Sequence, residues 1–75
     1  GWSLHCHYKW EEAEAVQDLV YQQGSPILAL QETTGVWIDG DRLTVFGTTP
    51  LEVFTFTERR VLEVGTEVSL AALLG

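Results

Sequence analysis

The sequence predicts an α+β fold in which one helix packs on a mainly antiparallel sheet. Residues 2–10 alternate between apolar and polar side chains, as in a half-buried strand. Residues 11–23 carry apolar side chains at three- and four-residue steps, as in an amphipathic helix. From residue 27 onwards, apolar runs alternate with short turn signals, which is typical of antiparallel strands. The predicted order is β-α-β-β-β-β-β, followed by a short apolar helical turn at the C-terminus.

In the first predicted strand, apolar side chains occupy every second position, and we expect them to face the core. These residues are Trp2, Leu4, Cys6, Tyr8 and Trp10. His5 and His7 take the opposite parity and share the outward side. Two imidazoles at this spacing can bind one metal ion, which needs a third ligand such as Glu32 or Asp39. The alternative interpretation is a pair of solvated histidines.

The helix is predicted over residues 11–23. Acidic residues crowd its first turn, where the helix dipole favours negative charge. Gly24 can adopt the left-handed conformation that ends a helix, and Pro26 prevents the helix from continuing. No typical N-cap residue precedes the helix, so its start is the boundary that the sequence defines least.

The chain after Pro26 reads as strands. Residues 27–33 form an apolar-rich run, and Thr34-Gly35 is a turn signal. The next two strands, 36–38 and 42–46, flank Asp39-Gly40, which is a strong signal for a two-residue hairpin turn.

This turn also predicts a register. With Asp39-Gly40 as the central pair, Trp37 opposes Arg42 and Val36 opposes Leu43. One face of the hairpin then carries Val36, Ile38, Leu43 and Val45. The other face carries Trp37, Arg42, Thr44 and Phe46.

A second hairpin is predicted from residues 51–57 and 60–64, with Glu58-Arg59 as its turn. One face then carries Leu51, Val53, Thr55, Leu62 and Val64. The other face carries Glu52, Phe54, Phe56, Val61 and Glu63. After this hairpin, Ser69 is suited to cap a short helix over residues 70–74, with Gly75 as its stop.

The aromatic residues provide the candidate binding surface. One short helix covers one face of a small sheet, and the aliphatic residues supply that face. The aromatic set then needs another cover, because large apolar patches on monomers mark interaction sites. This set is Trp37, Phe46, Phe54 and Phe56, and we expect it to bind a second copy or another protein. The alternative is that the sheet curls into a barrel that encloses these rings, or that they pack under the apolar tail of Leu70, Leu73 and Leu74.

Composition excludes several classes of function. The 75 residues form one domain, either complete or part of a longer protein. Four basic residues against eleven acidic ones give a formal net charge of −7, which disfavours nucleic acid and anionic membranes as partners. No apolar run is long enough to span a bilayer. The single cysteine, Cys6, cannot form an intramolecular disulfide. We do not expect it to act as a nucleophile, because the neighbouring histidines point to the opposite side of the strand and leave it without a base. An unpaired cysteine favours a reducing compartment such as the cytoplasm.

No phosphate-binding loop, hydrolase elbow or metalloprotease motif is present, so we expect no catalytic activity and no cofactor. The leading hypothesis is an acidic protein-interaction or regulatory module that forms homo-oligomers. One alternative is an acidic inhibitor of the phage type, which mimics a polyanion in a basic site of its target. A second alternative is a metal- or ligand-binding protein that uses His5 and His7.

Overall fold

Within residues 1–74, seven strands form two sheets, and the longer helix lies against the first of them. The computed structural model describes residues 1–74. In chain order the elements are β1 (Ser3–His5), α1 (Ala13–Gln23), β2 (Ile27–Ala29), β3 (Thr34–Asp39), β4 (Arg42–Gly47), β5 (Leu51–Phe54), β6 (Arg59–Leu62), β7 (Glu67–Ser69) and α2 (Leu70–Leu74). A single 3₁₀ turn precedes α1. The predicted α+β class is therefore confirmed.

The strand order is β1-β2-β5-β6 in the first sheet and β3-β4-β7 in the second. Only β1 and β2 pair in parallel, because α1 connects them; the other pairings are antiparallel. Neither sheet closes on itself, so the barrel alternative is not realised. Apolar side chains pack between the two sheets, and a second set packs between the first sheet and α1.

Two hydrophobic clusters result from this layering. The cluster between the sheets consists of Leu28, Leu43, Val45, Leu51, Val53 and Leu73. The cluster under α1 consists of Tyr8, Val16, Val20, Ile27, Ala29 and Phe54. Because successive side chains of a strand point to opposite faces, β2 and β5 contribute to both clusters. The prediction that α1 covers the aliphatic face is therefore wrong: the aliphatic faces of the two sheets cover each other.

A β-bulge ends the first strand. The Leu30 N–H donates to the His5 carbonyl and the Tyr8 N–H donates to the Leu30 carbonyl, each at 2.9 Å. Cys6 and His7 together therefore oppose the single residue Leu30. One extra residue reverses the alternation, so Tyr8 points towards α1 and is buried. His7 has a positive φ of 58°, which is uncommon for a residue other than glycine.

The bulge contradicts the predicted strand over residues 2–10. Leu4, Cys6 and Trp10 are exposed, although the alternation places them in the core. His5 and His7 also no longer share one side of a regular strand, because β1 ends at His5. Of the five apolar positions, Tyr8 is buried and Trp2 packs partly against the core between the sheets.

The exposed thiol of Cys6 should react readily with a chromogenic disulfide reagent in the native protein. Cys6→Ser should change the free energy of unfolding by less than about 0.5 kcal/mol, as is usual for surface positions. Labelling under native conditions, compared with labelling in denaturant, measures the accessibility. A thiol that reacts only after unfolding would contradict its place on the bulge.

The predicted helix is confirmed, with a two-part start. Residues 10–12 form the 3₁₀ turn, and α1 proper begins at Ala13. The Glu12 carboxylate accepts a hydrogen bond from the Lys9 N–H at 2.9 Å, which satisfies a backbone donor at this end. At the other end, Gly24 adopts φ 69° and its N–H donates to the Val20 carbonyl.

The hairpin of β3 and β4 has the predicted faces but a different register. Trp37 opposes Thr44 and Asp39 opposes Arg42, so the central pair of the turn is Gly40-Asp41. The predicted pairing is wrong by two residues. Because a shift of two preserves parity, the composition of both faces stands. Thr34-Gly35, predicted as a turn, instead begins β3.

Gly40→Val should destabilise the protein by about 1–2 kcal/mol, because Gly40 has φ 61° and a β-branched residue is strained there. Apart from the two adjoining residues, no described residue comes within 4 Å of the position that a Cβ would take, so strain and not collision causes the loss. Gly40→Asn is the matched control, since asparagine tolerates this conformation. Equal unfolding temperatures for the two variants would contradict the turn geometry.

The C-terminal third differs from prediction in its lengths. The second hairpin joins β5 and β6 through the loop 55–58, so its strands are shorter than predicted. The predicted turn at Glu58-Arg59 is wrong, because Arg59 begins β6 and opposes Phe54. β7 was not predicted, since three residues give too little alternation. Ser69 precedes α2 as predicted. Asp41 also stabilises the first turn of α2, because its carbonyl accepts a hydrogen bond from the Leu70 N–H at 2.7 Å. The predicted stop at Gly75 lies outside the described residues.

Candidate functional site

The four aromatic residues of the predicted binding face lie in three different places. Phe54 is fully buried under α1, where its ring contacts Tyr8 edge-on at a centroid distance of 5.8 Å. Phe56 is exposed in the loop after β5, beside Tyr21 of α1. Trp37 and Phe46 lie on the outer face of the second sheet. Of these four residues, only Trp37 and Phe46 share one face, where they lie diagonally across β3 and β4.

The outer face of the second sheet is uncovered in the structure. Trp37 is 67% exposed and Phe46 is 52% exposed. Gly35 pairs directly with Phe46 across the two strands. The Phe46 ring lies over Gly35 so closely that a Cβ atom there would overlap it. The missing side chain at Gly35 thus lets the ring lie against the backbone. We call the two exposed side chains of this face, Trp37 and Phe46, the aromatic platform.

Charged residues border this aromatic platform of Trp37 and Phe46. Arg42 and Glu67 form an ion pair at 3.1 Å on the same face. Asp39 lies two residues beyond Trp37 on β3, so both side chains take the same face. Within residues 1–74, no basic side chain forms an ion pair with Asp39. Arg42 lies directly opposite Asp39 but pairs with Glu67, so this face carries two carboxylates and one guanidinium.

The edge of β3 adjoins the platform. β3 pairs with β4 on one side and, among the described residues, with no strand on the other. The Thr48 N–H donates to the Thr33 carbonyl at 2.9 Å, so residue 33 directs its backbone groups towards β4. Backbone groups alternate along an antiparallel strand, and Gly35, Trp37 and Asp39 follow the same direction. The N–H and C=O groups of Val36 and Ile38 consequently point to the free edge.

A buried polar cluster lies on the other side of the molecule. The Glu52 side chain is nearly buried under α1, on the same face of β5 as Phe54. Its Oε1 atom accepts hydrogen bonds from the Tyr8 hydroxyl at 2.9 Å and from Arg59 Nε at 2.7 Å. The Arg59 guanidinium also lies 5.7 Å from the centre of the Phe54 ring. The Glu52 carboxylate thus has hydrogen-bond partners inside the protein, and we infer that this cluster stabilises the fold and does not bind a ligand.

Burial raises the pKa of Tyr8 well above its ordinary value, and the hydrogen bond to the Glu52 carboxylate raises it further. An unfolded tyrosine ionises near pH ~10, so the unfolded state loses its proton first as the pH rises. The free energy of unfolding should therefore be constant with respect to this group below pH ~10 and decrease above it. Tyr8→Phe should reduce that alkaline decrease, measured by urea denaturation at several pH values. Tyr21→Phe leaves Tyr8 in place, so the free energy of unfolding should still decrease at alkaline pH as in the wild type. The prediction is contradicted if this alkaline decrease is equally steep in both variants.

His7 lies at a pocket beside the bulge. A pocket of about 530 Å³ is lined by His7, Tyr8, Lys9, Gln31, Glu32 and Thr33. His7 and Glu32 thus reach the same pocket, whereas His5 and Asp39 do not line it. Within residues 1–74, no group of three or more histidine, cysteine or acidic side chains is placed to hold a metal ion. The predicted pair His5 and His7 therefore gains no third ligand in the structure.

Sequence reasoning assigned Trp37 and Phe46 correctly to one face, and it missed the contributions of Gly35 and of the β3 edge. The glycine within an apolar run was the available signal, because a glycine in a strand often marks a close approach to its backbone.

Neither helix of the described residues is long and apolar enough to cross a membrane. No protein family model, curated protein or solved structure matches the chain.

Proposed function

We propose that this chain is a protein-interaction module without catalytic activity, and that it binds its partner through the platform of Trp37 and Phe46. The exposure of these two large aromatic side chains on an uncovered sheet face is the observation that carries the proposal. Burial of one such side chain is worth roughly 1.5–3 kcal/mol, so a partner that covers both gains substantial affinity. Tryptophan is also among the residues that contribute most to binding at protein interfaces.

The charges favour a basic partner over a second copy of the chain. The formal net charge is −7, and Arg42, Arg59 and Arg60 already pair with carboxylates of the chain itself. Two copies therefore repel each other, whereas a basic surface is attracted. Self-association, which the sequence also suggests, is the competing outcome of the experiment below.

The polyanion-mimic hypothesis uses the same charge but another surface. Glu11, Glu14 and Asp18 are exposed around the start of α1, on the opposite side of the first sheet from the platform. A mimic would bind through these carboxylates, and its affinity would decrease steeply with salt. Binding through the platform depends on apolar contact more than on charge, so its affinity would decrease less with salt.

The cytoplasmic location that we propose is supported by the exposed unpaired thiol of Cys6.

The test compares partner binding by the wild-type chain and two variants. A partner is isolated from cells that carry the gene, identified and purified, and its affinity is then measured by calorimetry. The double variant Trp37→Ala/Phe46→Ala should weaken binding at least tenfold, while Tyr21→Ala, which removes an exposed aromatic ring elsewhere, should not. Sedimentation of the free chain should give the monomer mass. The proposal is rejected if the platform variant binds normally or if the chain is a stable dimer on its own.

A second function, binding of a small polar molecule, is favoured by the pocket beside the bulge. His7, Lys9 and Glu32 are among the residues that line the pocket, and together they carry both hydrogen-bond donors and acceptors. Pockets of 300–1,000 Å³ are the usual size for small-molecule sites. A library of small polar compounds, screened by the NMR signals of His7, tests this function. A compound that shifts His7 and fails to bind after Glu32→Gln would support it; no shift across the library would oppose it.

A further inference from the structure

The four sheet edges differ in how well they resist pairing with another chain. β1 and β7 have three residues each, and the bulge interrupts β1. β6 carries two consecutive arginines, Arg59 and Arg60. Short strands, bulges and positive charges are features that protect an edge. β3 has six residues, no lysine, arginine or proline, and one acidic residue at its end. It is the one unprotected edge of residues 1–74.

An added strand would find both its backbone and its side chains matched at this edge. Val36 and Ile38 direct their N–H and C=O groups outward, so a pairing chain receives ladder hydrogen bonds from both. The side chains of an added strand alternate between two faces. On the inner face they would lie beside Val36 and the half-exposed Ile38. On the outer face they would lie beside Trp37 and Asp39.

The outer positions select a cation. The exposed indole of Trp37 attracts a positive charge placed over its face, and tryptophan is the best of the aromatic residues for this contact. Asp39 supplies a carboxylate on the same face, because Arg42, its cross-strand neighbour, forms its ion pair with Glu67 instead. A lysine or arginine side chain thus meets a π face and a carboxylate together. The inner positions, in contrast, select aliphatic side chains.

We propose that the partner contributes an extended segment of alternating basic and aliphatic residues, which pairs with β3 as a fourth strand of the second sheet. This inference rests on the proposed function, since it identifies the part of the partner that reaches the platform. Strand addition of this kind obtains affinity from backbone hydrogen bonds and specificity from alternate side chains.

A second copy of the chain fits this edge less well. A strand of six residues is roughly 20 Å long, and side chains on both faces make the contact about 10 Å deep. Pairing of two such edges buries about 400 Å² in total, well below the ~1,200 Å² of a stable interface. The charge of −7 on each copy opposes the pairing as well. A basic segment is attracted by this charge instead, and the rest of the partner can enlarge the contact by covering the platform.

The experiment uses a capped seven-residue peptide in which lysine and valine alternate, with a scrambled peptide of equal composition as control. Ile38→Pro removes an N–H that points to the free edge and leaves the ladder with β4 intact, as is tolerated on edge strands. Ile38→Thr is the matched variant, which keeps the N–H. We expect the alternating peptide to bind wild type and Ile38→Thr, and Ile38→Pro to bind it at least tenfold more weakly. Trp37→Ala and Asp39→Asn should each weaken binding several-fold.

Circular dichroism checks that each variant is folded, and the NMR shifts of the Val36 and Ile38 amides in the wild type provide an independent measurement. Large shifts at these two amides on addition of the alternating peptide support strand addition. Equal binding of the scrambled peptide, or unchanged Val36 and Ile38 amides at saturation, overturns it. If the natural partner loses affinity for Trp37→Ala/Phe46→Ala but binds Ile38→Pro normally, the interaction module stands and the added strand does not.

Discussion

Gly47→Ala should unfold the protein or reduce its free energy of unfolding by at least ~3 kcal/mol. Gly47 ends β4 with φ 99°, a conformation that costs an L-residue about 1–2 kcal/mol. In addition, the new Cβ atom would overlap the backbone carbonyl oxygen of Thr33. That carbonyl accepts the hydrogen bond from Thr48, so the backbone cannot move away without losing the end of the hairpin. A domain with a stability of roughly 0.1 kcal/mol per residue has little reserve for this change.

Gly65→Ala is the matched control for this effect. Gly65 has a similar φ of 94°, but nothing lies within 4 Å of the position that its Cβ would take. This variant should therefore lose only the strain energy of about 1–2 kcal/mol. Urea denaturation of both variants measures the difference. Equal losses would show that the Thr33 carbonyl does not confine Gly47.

Phe54→Asp should also abolish the folded state. The Phe54 side chain is 0% exposed, and it packs against Tyr8 and beside the Arg59 guanidinium. Removal of a buried phenylalanine side chain alone costs about 3–5 kcal/mol. Burial of a new carboxylate adds to this, because Glu52 next to it already carries negative charge in the same layer. The circular dichroism spectrum should therefore be that of an unfolded chain.

Phe46→Asp provides the comparison at an exposed aromatic residue. Phe46 is 52% exposed on the outer face of the second sheet, and its ring rests on Gly35 without a layer above it. This variant should remain folded and lose no more than about 1 kcal/mol. If Phe46→Asp unfolds and Phe54→Asp does not, the assignment of core and surface is reversed.

The sequence predicts the faces of the hairpins better than their registers. In β3 and β4 the true pairing differs by two residues from the predicted one, yet Val36 and Leu43 still share the inner face. Period-two alternation fixes parity, and any even shift preserves it. The choice between Asp39-Gly40 and Gly40-Asp41 as the central pair depends on which residue adopts positive φ, and composition alone does not decide this.

The layering could not be predicted from the same patterns. An aliphatic face is compatible with cover by a helix or by another sheet, and the second arrangement occurs here. This difference places Phe54 under α1 and leaves Trp37 on the surface, although both residues belong to the predicted aromatic set. The bulge at Cys6 and His7 is another feature without a local signal, because its cause is the non-local pairing with Leu30.

Hydrogen exchange at the amides of β3 in the free protein tests the proposed binding edge most directly. The N–H groups of Gly35 and Trp37 point towards β4, whereas those of Val36 and Ile38 point to the free edge. Protection should therefore alternate along the strand, with slow exchange at Gly35 and Trp37 and fast exchange at Val36 and Ile38. Addition of the partner should then slow the second pair. Slow exchange at Val36 and Ile38 in the monomeric free protein would mean that this edge is already covered, and it would contradict the proposal.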